Sequence, residues 1–116
     1  MDKTENRIQA ECYTFFNNNY CLKHHKPRCI FFSVPNEAIQ NMSMVQIMKF
    51  KAGGLRSGVS DAIVVMEGKV IFVEIKTPTG TQSDKQKRFQ LTVESLGFKY
   101  HLIRSLEQFK TEICEL

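Results

Sequence analysis

No stretch of the 116-residue chain is long or apolar enough to span a membrane, and its first residues lack the apolar core of a signal peptide. The sequence also has no internal repeat, no low-complexity tract and no interdomain linker. We therefore expect one domain over residues 1–116 that stays in the cytoplasm, where it is made.

The four cysteines include no Cys-x-x-Cys pair. The run from Cys21 to Cys29 also holds two histidines, but its spacing matches no common zinc finger or ribbon. A basic loop, solvated or touching phosphate, is the better interpretation of this run. We expect reduced thiols, with Cys12, Cys29 and Cys114 as small buried residues.

Positive charge is in small excess. The chain has 16 lysines and arginines and 12 acidic residues, which gives a net charge of +4. Such a charge permits a polyanionic partner without showing one. The glycine-containing segment 52–58 has neither Gly-Lys-Ser/Thr nor a following helix, so we expect no nucleotide cofactor. It is either a plain loop or a close approach of the backbone to a sugar-phosphate chain.

The sequence does contain alternating helix and strand patterns, which predict an α/β fold. Capping residues and apolar spacing place the helices, and β-branched or aromatic runs place the strands. The predicted elements are a helix from Thr4 to about Asn18, a strand over 29–34, a short helix toward Lys51 with an apolar stripe at Ile39, Met42, Val45 and Met48, a hairpin over 62–73, a helix over 83–97, a strand over 98–103, and a helix from Ser105 to about Cys114.

The hairpin brings three ionisable residues together. If Glu67-Gly68 is a two-residue loop, Asp61 lies opposite Glu74, and alternation returns Lys76 to the same face. Directly opposed residues have Cβ atoms roughly 4.5–5.5 Å apart, close enough for both carboxylates to share one divalent cation. A three-residue loop with a bulge would instead turn Glu74 away from Asp61.

Both faces of this hairpin are apolar, which predicts central strands of a sheet covered on both sides. Carboxylates are costly to bury without a partner, so their position at the strand ends favours a metal-dependent phosphodiesterase site. The alternative is structural: Asp61 would start a strand, and Glu74 and Lys76 would form an edge ion pair.

Five short motifs follow one another along nearly the whole chain: Glu5-x-x-Ile8-Gln9, Val34-Pro35-Asn36-Glu37, Gly58-Val59-Ser60-Asp61, Glu74-Ile75-Lys76 and Ser83-x-x-Gln86. In this order they resemble the PD-(D/E)xK nuclease superfamily and, within it, a stand-alone VRR-NUC (virus-type replication-repair nuclease) domain. Ser60 departs from the proline of the superfamily motif. The resemblance implies a restriction-endonuclease-like α/β/α sandwich with a central mixed sheet of about four strands. It also implies a bacteriophage or bacterial source, and so the cytoplasm of a bacterial or phage-infected host cell.

The resemblance assigns roles to the residues of the hairpin. Asp61 and Glu74 would bind Mg²⁺ or Mn²⁺ together with the backbone carbonyl of Ile75. Lys76 would position the attacking water or help to deprotonate it. These roles belong to an endodeoxyribonuclease that depends on Mg²⁺ or Mn²⁺.

Two helical residues would complete the site. Glu5 matches the acid of the family's first helix and would hold a metal-bound water or a second cation, with Glu11 as a weaker alternative. Gln86 matches the family's helix glutamine beside the site. Cations in two basic segments are predicted to contact DNA phosphates, namely Lys23, Lys26, Arg28, Lys51 and Arg56.

The predicted partner is branched DNA, because the family's small free-standing members resemble dimeric resolvases of four-way (Holliday) junctions. A homodimer would supply two sites for symmetric cleavage, with the stripe from Ile39 to Met48 as a candidate interface. The alternatives are a flap or general DNA endonuclease, a catalytically idle DNA-binding subunit, and a small α/β interaction protein.

Overall fold

The computed structural model describes residues 3–21, 29–35 and 41–114. Helices alternate with strands as the sequence predicts, and wide π-helical turns extend the first and last helices over Asn17–Cys21 and Lys110–Cys114. The elements are α1 (Lys3–Phe16), β1 (Ile30–Ser33), α2 (Met44–Ala52), β2 (Ala62–Met66), β3 (Lys69–Ile75), α3 (Asp84–Ser95), β4 (Lys99–Ile103) and α4 (Leu106–Phe109).

The strands form one mixed sheet in the order β1-β2-β3-β4. β1, β2 and β3 pair antiparallel, whereas β4 runs parallel to β3. A parallel pair needs a crossover connection, and α3 supplies it. The predicted α/β class and four-stranded mixed sheet are therefore confirmed, and β2 and β3 are central, as their apolar faces indicated.

The predicted register of the hairpin is confirmed. Met66 pairs with Lys69 and Ile63 with Phe72. In the turn, Gly68 has a φ of 74°, and no described residue other than glycine has a positive φ. The turn is therefore not type I′, which needs positive φ at both central residues, and Glu67 is accommodated without strain.

One face of the sheet carries the hydrophobic core, which lies beneath α1 and the C-terminal helical segment. Aromatic rings pack against one another in this core. Phe16 and Phe109 contact each other edge-on, with their ring centroids 6.0 Å apart. The buried cluster comprises Ile8, Cys12, Phe16, Phe31, Ala62, Val64, Ile71, Val73, Ile75, Ile103, Phe109 and Ile113. Of the cysteines predicted to be buried, only Cys12 is fully so, whereas Cys29 and Cys114 are half-buried at its edge.

The other face is covered only in part. Phe89 of α3 lies edge-on to Phe72 and Tyr100, with ring centroids 5.8 and 6.1 Å apart. Because α3 packs over β3 and β4, the same face of β1 stays open, and Ile30 is 54% exposed and Phe32 45% exposed. The prediction of full cover on both faces is therefore wrong for the β1 side.

Two predicted helix starts are wrong. α1 already includes Lys3, so Thr4 lies inside the helix and is not its cap. α2 begins only at Met44, because Ser43 and Gln46 form a capping box in which each side chain accepts the other residue's backbone N–H. Met42 consequently lies before the helix, and Ile39 lies outside the described residues.

The predicted caps of the later helices agree better with the structure. Ser83 and Gln86 form the expected capping box at the start of α3. Ser105 accepts the backbone N–H of Gln108, but the Gln108 side chain accepts the N–H of Arg104 instead of that of Ser105. The second cap is therefore only half a capping box.

Candidate active site

Four of the predicted catalytic residues line one cleft with a volume of about 490 Å³. Glu5 comes from α1, Asp61 from the residue before β2, Lys76 from the residue after β3, and Gln86 from the first turn of α3. The cleft therefore collects side chains from four separate parts of the fold at one end of the central strands. Glu11, the alternative to Glu5, does not line this cleft.

Glu74, the fifth predicted catalytic residue, is fully buried and does not line the cleft. Its Oε1 accepts hydrogen bonds from the Tyr100 hydroxyl and from Nε2 of Gln82, the latter at 3.0 Å. Its Oε2 is also buried and has no hydrogen-bond partner in the part of the chain that the structure describes. The nearest cation is Lys76, whose Nζ lies 3.8 Å from Oε2. One carboxylate oxygen is thus held by two donors, whereas the other has only the ammonium group of Lys76 near it among the described residues.

Asp61 is tied to the end of the neighbouring strand. Its Oδ2 accepts the backbone N–H of Ile75 at 2.7 Å, so the side chain caps the point where β3 ends. Burial raises the pKa of Asp61 to about 6; the Ile75 hydrogen bond opposes this rise, and the charges of Glu74 and Glu5 add to it. A carboxylate with a raised pKa and carboxylate neighbours favours a bound cation.

The donor set fits a hard divalent cation. The orphaned Oε2 of Glu74 and the Asp61 carboxylate lie at adjacent strand ends, and a buried carboxylate oxygen without a donor is costly unless a cation compensates it. Among residues 3–21, 29–35 and 41–114, no group of three or more His, Cys, Asp or Glu side chains is arranged to hold a metal. Asp61 and Glu74 are thus the two carboxylates of the described residues that could contribute to holding a metal here.

Gln86 and Glu5, the two helical residues predicted for the site, also interact with neighbouring residues of the protein. The side-chain oxygen of Gln86 accepts the N–H of Ser83 at 2.8 Å, so half of its amide serves the helix cap. Glu5 is half-buried and acts electrostatically on Asp61. Gln9, from the same motif as Glu5, also lines the cleft, and its buried Oε1 has no hydrogen-bond partner among the described residues.

The predicted DNA-binding residues fall into two groups. Lys23, Lys26 and Arg28 lie outside the described residues. Lys51 and Arg56 are exposed and line a second groove next to the cleft. The guanidinium of Arg56 lies 5.4 Å from the centroid of the Phe89 ring.

Three residues that support the site were missed. Tyr100 and Gln82 fix Glu74, and Gln82 also donates to Oε1 of Gln90 at 2.9 Å. Arg104 donates to the carbonyl oxygens of Thr77 and Gly80 at 2.6 and 2.7 Å, which holds the loop after Lys76. Tyr100 and Arg104 reach the site because β4 lies parallel to β3, and none of the five motifs in the sequence includes either residue.

Comparison with protein families and solved structures identifies the family and the fold of the chain. The family model described as VRR-NUC domain matches residues 5–107. A solved structure called "VRR_NUC domain protein" superposes with a TM-score of 0.74 at 16% identity and covers 99% of this chain and 88% of its own. A second, called "VRR_NUC domain", superposes with a TM-score of 0.66 at 18% identity and covers 97% and 96%. The search of curated proteins gives no match.

Proposed function

The chain belongs to the VRR-NUC domain family, and we propose that it is a metal-dependent endodeoxyribonuclease that cuts four-way DNA junctions as a homodimer. The family indicates a nuclease of the PD-(D/E)xK type. The dependence on metal, the branched substrate and the dimer are the parts that we add. The expected place of action, the cytoplasm of a bacterial or phage-infected host cell, stays a prediction. Within the described residues, no helix is both long and apolar enough to cross a membrane.

The observation that carries the proposal is the unsatisfied oxygen of Glu74. Oε2 is buried beside Asp61 and Lys76, and no described group donates to it. A purely structural ion pair would not require a second, half-buried carboxylate whose pKa is raised to about 6. This arrangement supports Mg²⁺ or Mn²⁺ as the cofactor, held by Asp61, Glu74 and the carbonyl of Ile75.

The reaction is phosphodiester hydrolysis. Water attacks phosphorus, the bond from phosphorus to the 3′ oxygen breaks, and that oxygen takes up a proton, which leaves a 5′-phosphate and a 3′-hydroxyl. A bound divalent cation would stabilise the negative charge that develops on the phosphate. Lys76 lies in the cleft and orients the attacking water through its positive charge, while the water's proton passes to solvent.

Two features support a symmetric substrate, namely the one candidate site of this domain and an exposed helix. One domain offers one site, whereas resolution of a four-way junction needs two symmetric incisions, which a two-fold dimer places by its symmetry. α2 has no buried residue, and its Val45 and Met48 are 77% and 66% exposed. An apolar helix with no buried residue supports a role in self-association.

The test is cleavage of a panel that contains a four-way junction, a flap, a linear duplex and single strands, each with Mg²⁺, Mn²⁺ or EDTA. We expect paired nicks in the junction that require a metal. Asp61→Asn and Glu74→Gln should abolish them while DNA binding survives, because each removes a cation ligand with little change of shape.

The matched control is Glu67→Gln, which removes the same charge from the exposed turn at the other end of the hairpin. Its cleavage should equal that of the wild type. Flap cleavage alone would replace the resolvase by a flap endonuclease. DNA binding without cleavage of any substrate would indicate a catalytically idle subunit, and the absence of both would leave an interaction protein.

A further inference from the structure

A second groove with a volume of about 610 Å³ lies between the loop after α2 and one face of α3. Four cations line it: Lys51, Arg56, Lys85 and Arg88. None of the described residues that line it is acidic. A concave surface with four positive charges and no negative charge attracts a polyanion more strongly than the same charges spread over a flat surface.

The groove opens directly toward the catalytic cleft. Lys85 lines both cavities, because it follows the cap of α3 and lies where the loop before Asp61 meets that helix. The cations therefore form a continuous path that leads from Asp61 and Lys76 through Lys85 to Arg88 and the loop. A chain of regularly spaced negative charges can follow such a path with one phosphate in the cleft.

The walls of the groove are fixed before any ligand binds. Gly58 has a φ of 78° and packs so closely on Lys85 that an added Cβ would lie 2.7 Å from the Lys85 carbonyl carbon and Cβ. On the same wall, the Arg56 guanidinium lies over the Phe89 ring, at a distance of 5.4 Å from its centroid. A cation held against an aromatic face loses less conformational entropy on binding than a free side chain does.

We propose that this groove, lined by Lys51, Arg56, Lys85 and Arg88, binds the sugar-phosphate backbone that flanks the scissile phosphate of the DNA strand being cut. The inference rests on the proposed nuclease function and specifies the course of its substrate. We expect the groove to recognise the charge of the backbone more than the base sequence, because all of its charged groups are cations and its other lining residues are Leu55, Ser57, Leu91 and Thr92.

The experiment measures DNA binding in EDTA, where no cleavage occurs, as a function of salt concentration. We compare the wild type with Arg56→Gln/Arg88→Gln, using a four-way junction labelled with a fluorophore. The slope of log K against log salt should fall by about 1 for each phosphate contact that is lost. Thermal unfolding of each variant verifies that it is folded.

The control is Lys69→Gln/Lys99→Gln. Both lysines are exposed and begin strands β3 and β4, at the end of the sheet away from the cleft. Each double variant lowers the net charge from +4 to +2, so a general effect of charge would be equal in the two. Equal losses of affinity and slope would overturn the groove assignment.

Metal-dependent cleavage by the wild type is measured in parallel, so that the two proposals fail separately. Cleavage by the wild type together with equal binding losses in both double variants would overturn only the assignment of the groove. Suppose that only the Arg56→Gln/Arg88→Gln variant loses DNA affinity and that the wild type does not cleave DNA. The groove would then remain a DNA-binding surface, and the nuclease assignment would be overturned.

Discussion

The two carboxylates of the site lie side by side but have different surroundings. Glu74 is fully buried and fixed by the donors Tyr100 and Gln82 on one oxygen. Asp61 is half-buried, and its hydrogen bond to Ile75 comes from the backbone. This arrangement keeps two carboxylates close together with little access to water. Their proximity costs stability unless a cation is bound.

The pKa of Asp61 leads to a prediction about stability. Its pKa is about 6 in the folded protein against an ordinary value of 3.8, with burial as the main cause. A raised folded pKa contributes stability that is fully present below about pH 4 and is lost as the pH rises through about 6. In EDTA at pH 8, the unfolding free energy of Asp61→Asn should therefore exceed that of the wild type by roughly 1–3 kcal/mol, with a higher unfolding temperature. At pH 4 the two proteins should differ little.

Asparagine keeps an oxygen for the Ile75 N–H, so the comparison isolates the charge. Mg²⁺ or Mn²⁺ at pH 8 should raise the unfolding temperature of the wild type and not that of the variant. An equal difference between the two proteins at both pH values would show that ionisation of Asp61 does not limit stability.

Tyr100 leads to a second prediction at this scale. Burial raises its pKa well above the ordinary value, and so does its hydrogen bond to Glu74, so the hydroxyl stays protonated and donates at neutral pH. Tyr100→Phe keeps the ring contact with Phe89 but removes this donor.

Loss of a group that orients a metal ligand typically weakens metal binding by roughly 10–100-fold. Calorimetric titration with Mn²⁺ measures this, and Tyr13→Phe on the exposed surface of α1 serves as the control. Unchanged Mn²⁺ affinity in Tyr100→Phe would remove Tyr100 from the support of the site.

The sequence was sufficient for the residues that are close to one another along the chain. Asp61, Glu74 and Lys76 belong to one hairpin, whose register depends only on a two-residue turn and strand alternation. Tyr100 and Arg104 come from a strand that reaches the site through a parallel pairing with β3. Such a pairing depends on the packing of α3 across the sheet, and short-range patterns do not encode it.

At the scale of elements, the glycines at two turns allow a matched test of packing. Gly58 and Gly68 have φ values of 78° and 74°, so alanine is strained at both positions by similar amounts. A Cβ meets nothing within 4 Å at Gly68, but at Gly58 it meets the backbone of Lys85 at 2.7 Å.

We therefore expect Gly68→Ala to cost about 1–2 kcal/mol of unfolding free energy. Gly58→Ala should cost about 1–3 kcal/mol more, because the loop or the start of α3 must move. Urea denaturation measures both values. Equal costs would mean that the contact between the loop and α3 is soft, which would also weaken the view that the groove walls are preformed.

The misplaced start of α2 has a simple cause. An apolar residue at every third position favoured a helix that includes Met42, but the capping box of Ser43 and Gln46 starts the helix later. The pattern Ser-x-x-Gln is present in the sequence, as it is at Ser83, where it also forms a capping box at the start of a helix. The local cap was therefore a better guide to the start of this helix than the spacing of its apolar residues.

At the scale of the whole molecule, the described residues bury their apolar side chains unevenly. The core lies between the sheet, α1 and the C-terminal segment, whereas α2 contributes no buried residue and β1 leaves Ile30 and Phe32 exposed. The predicted stripe also proved to be divided, since only Val45 and Met48 belong to the helix. These two residues, together with Met44 at 71% exposure, form an apolar surface that the domain itself does not cover.

The last prediction is that α2 forms the dimer interface. Val45→Glu and Met48→Glu should convert a dimer at micromolar concentration into a monomer, because each places a charge where two apolar surfaces would meet. Leu96→Glu is the control, since Leu96 is 70% exposed and follows α3. Sedimentation equilibrium measures the mass of each.

Lys51 lies on the same helix, so an interface through α2 would bring the basic grooves of both protomers onto neighbouring surfaces. The monomeric variants should then still nick DNA but lose paired incision of the four-way junction. A wild type that is a stable monomer, and that cuts flaps but leaves junctions intact, would overturn the resolvase while leaving the nuclease in place.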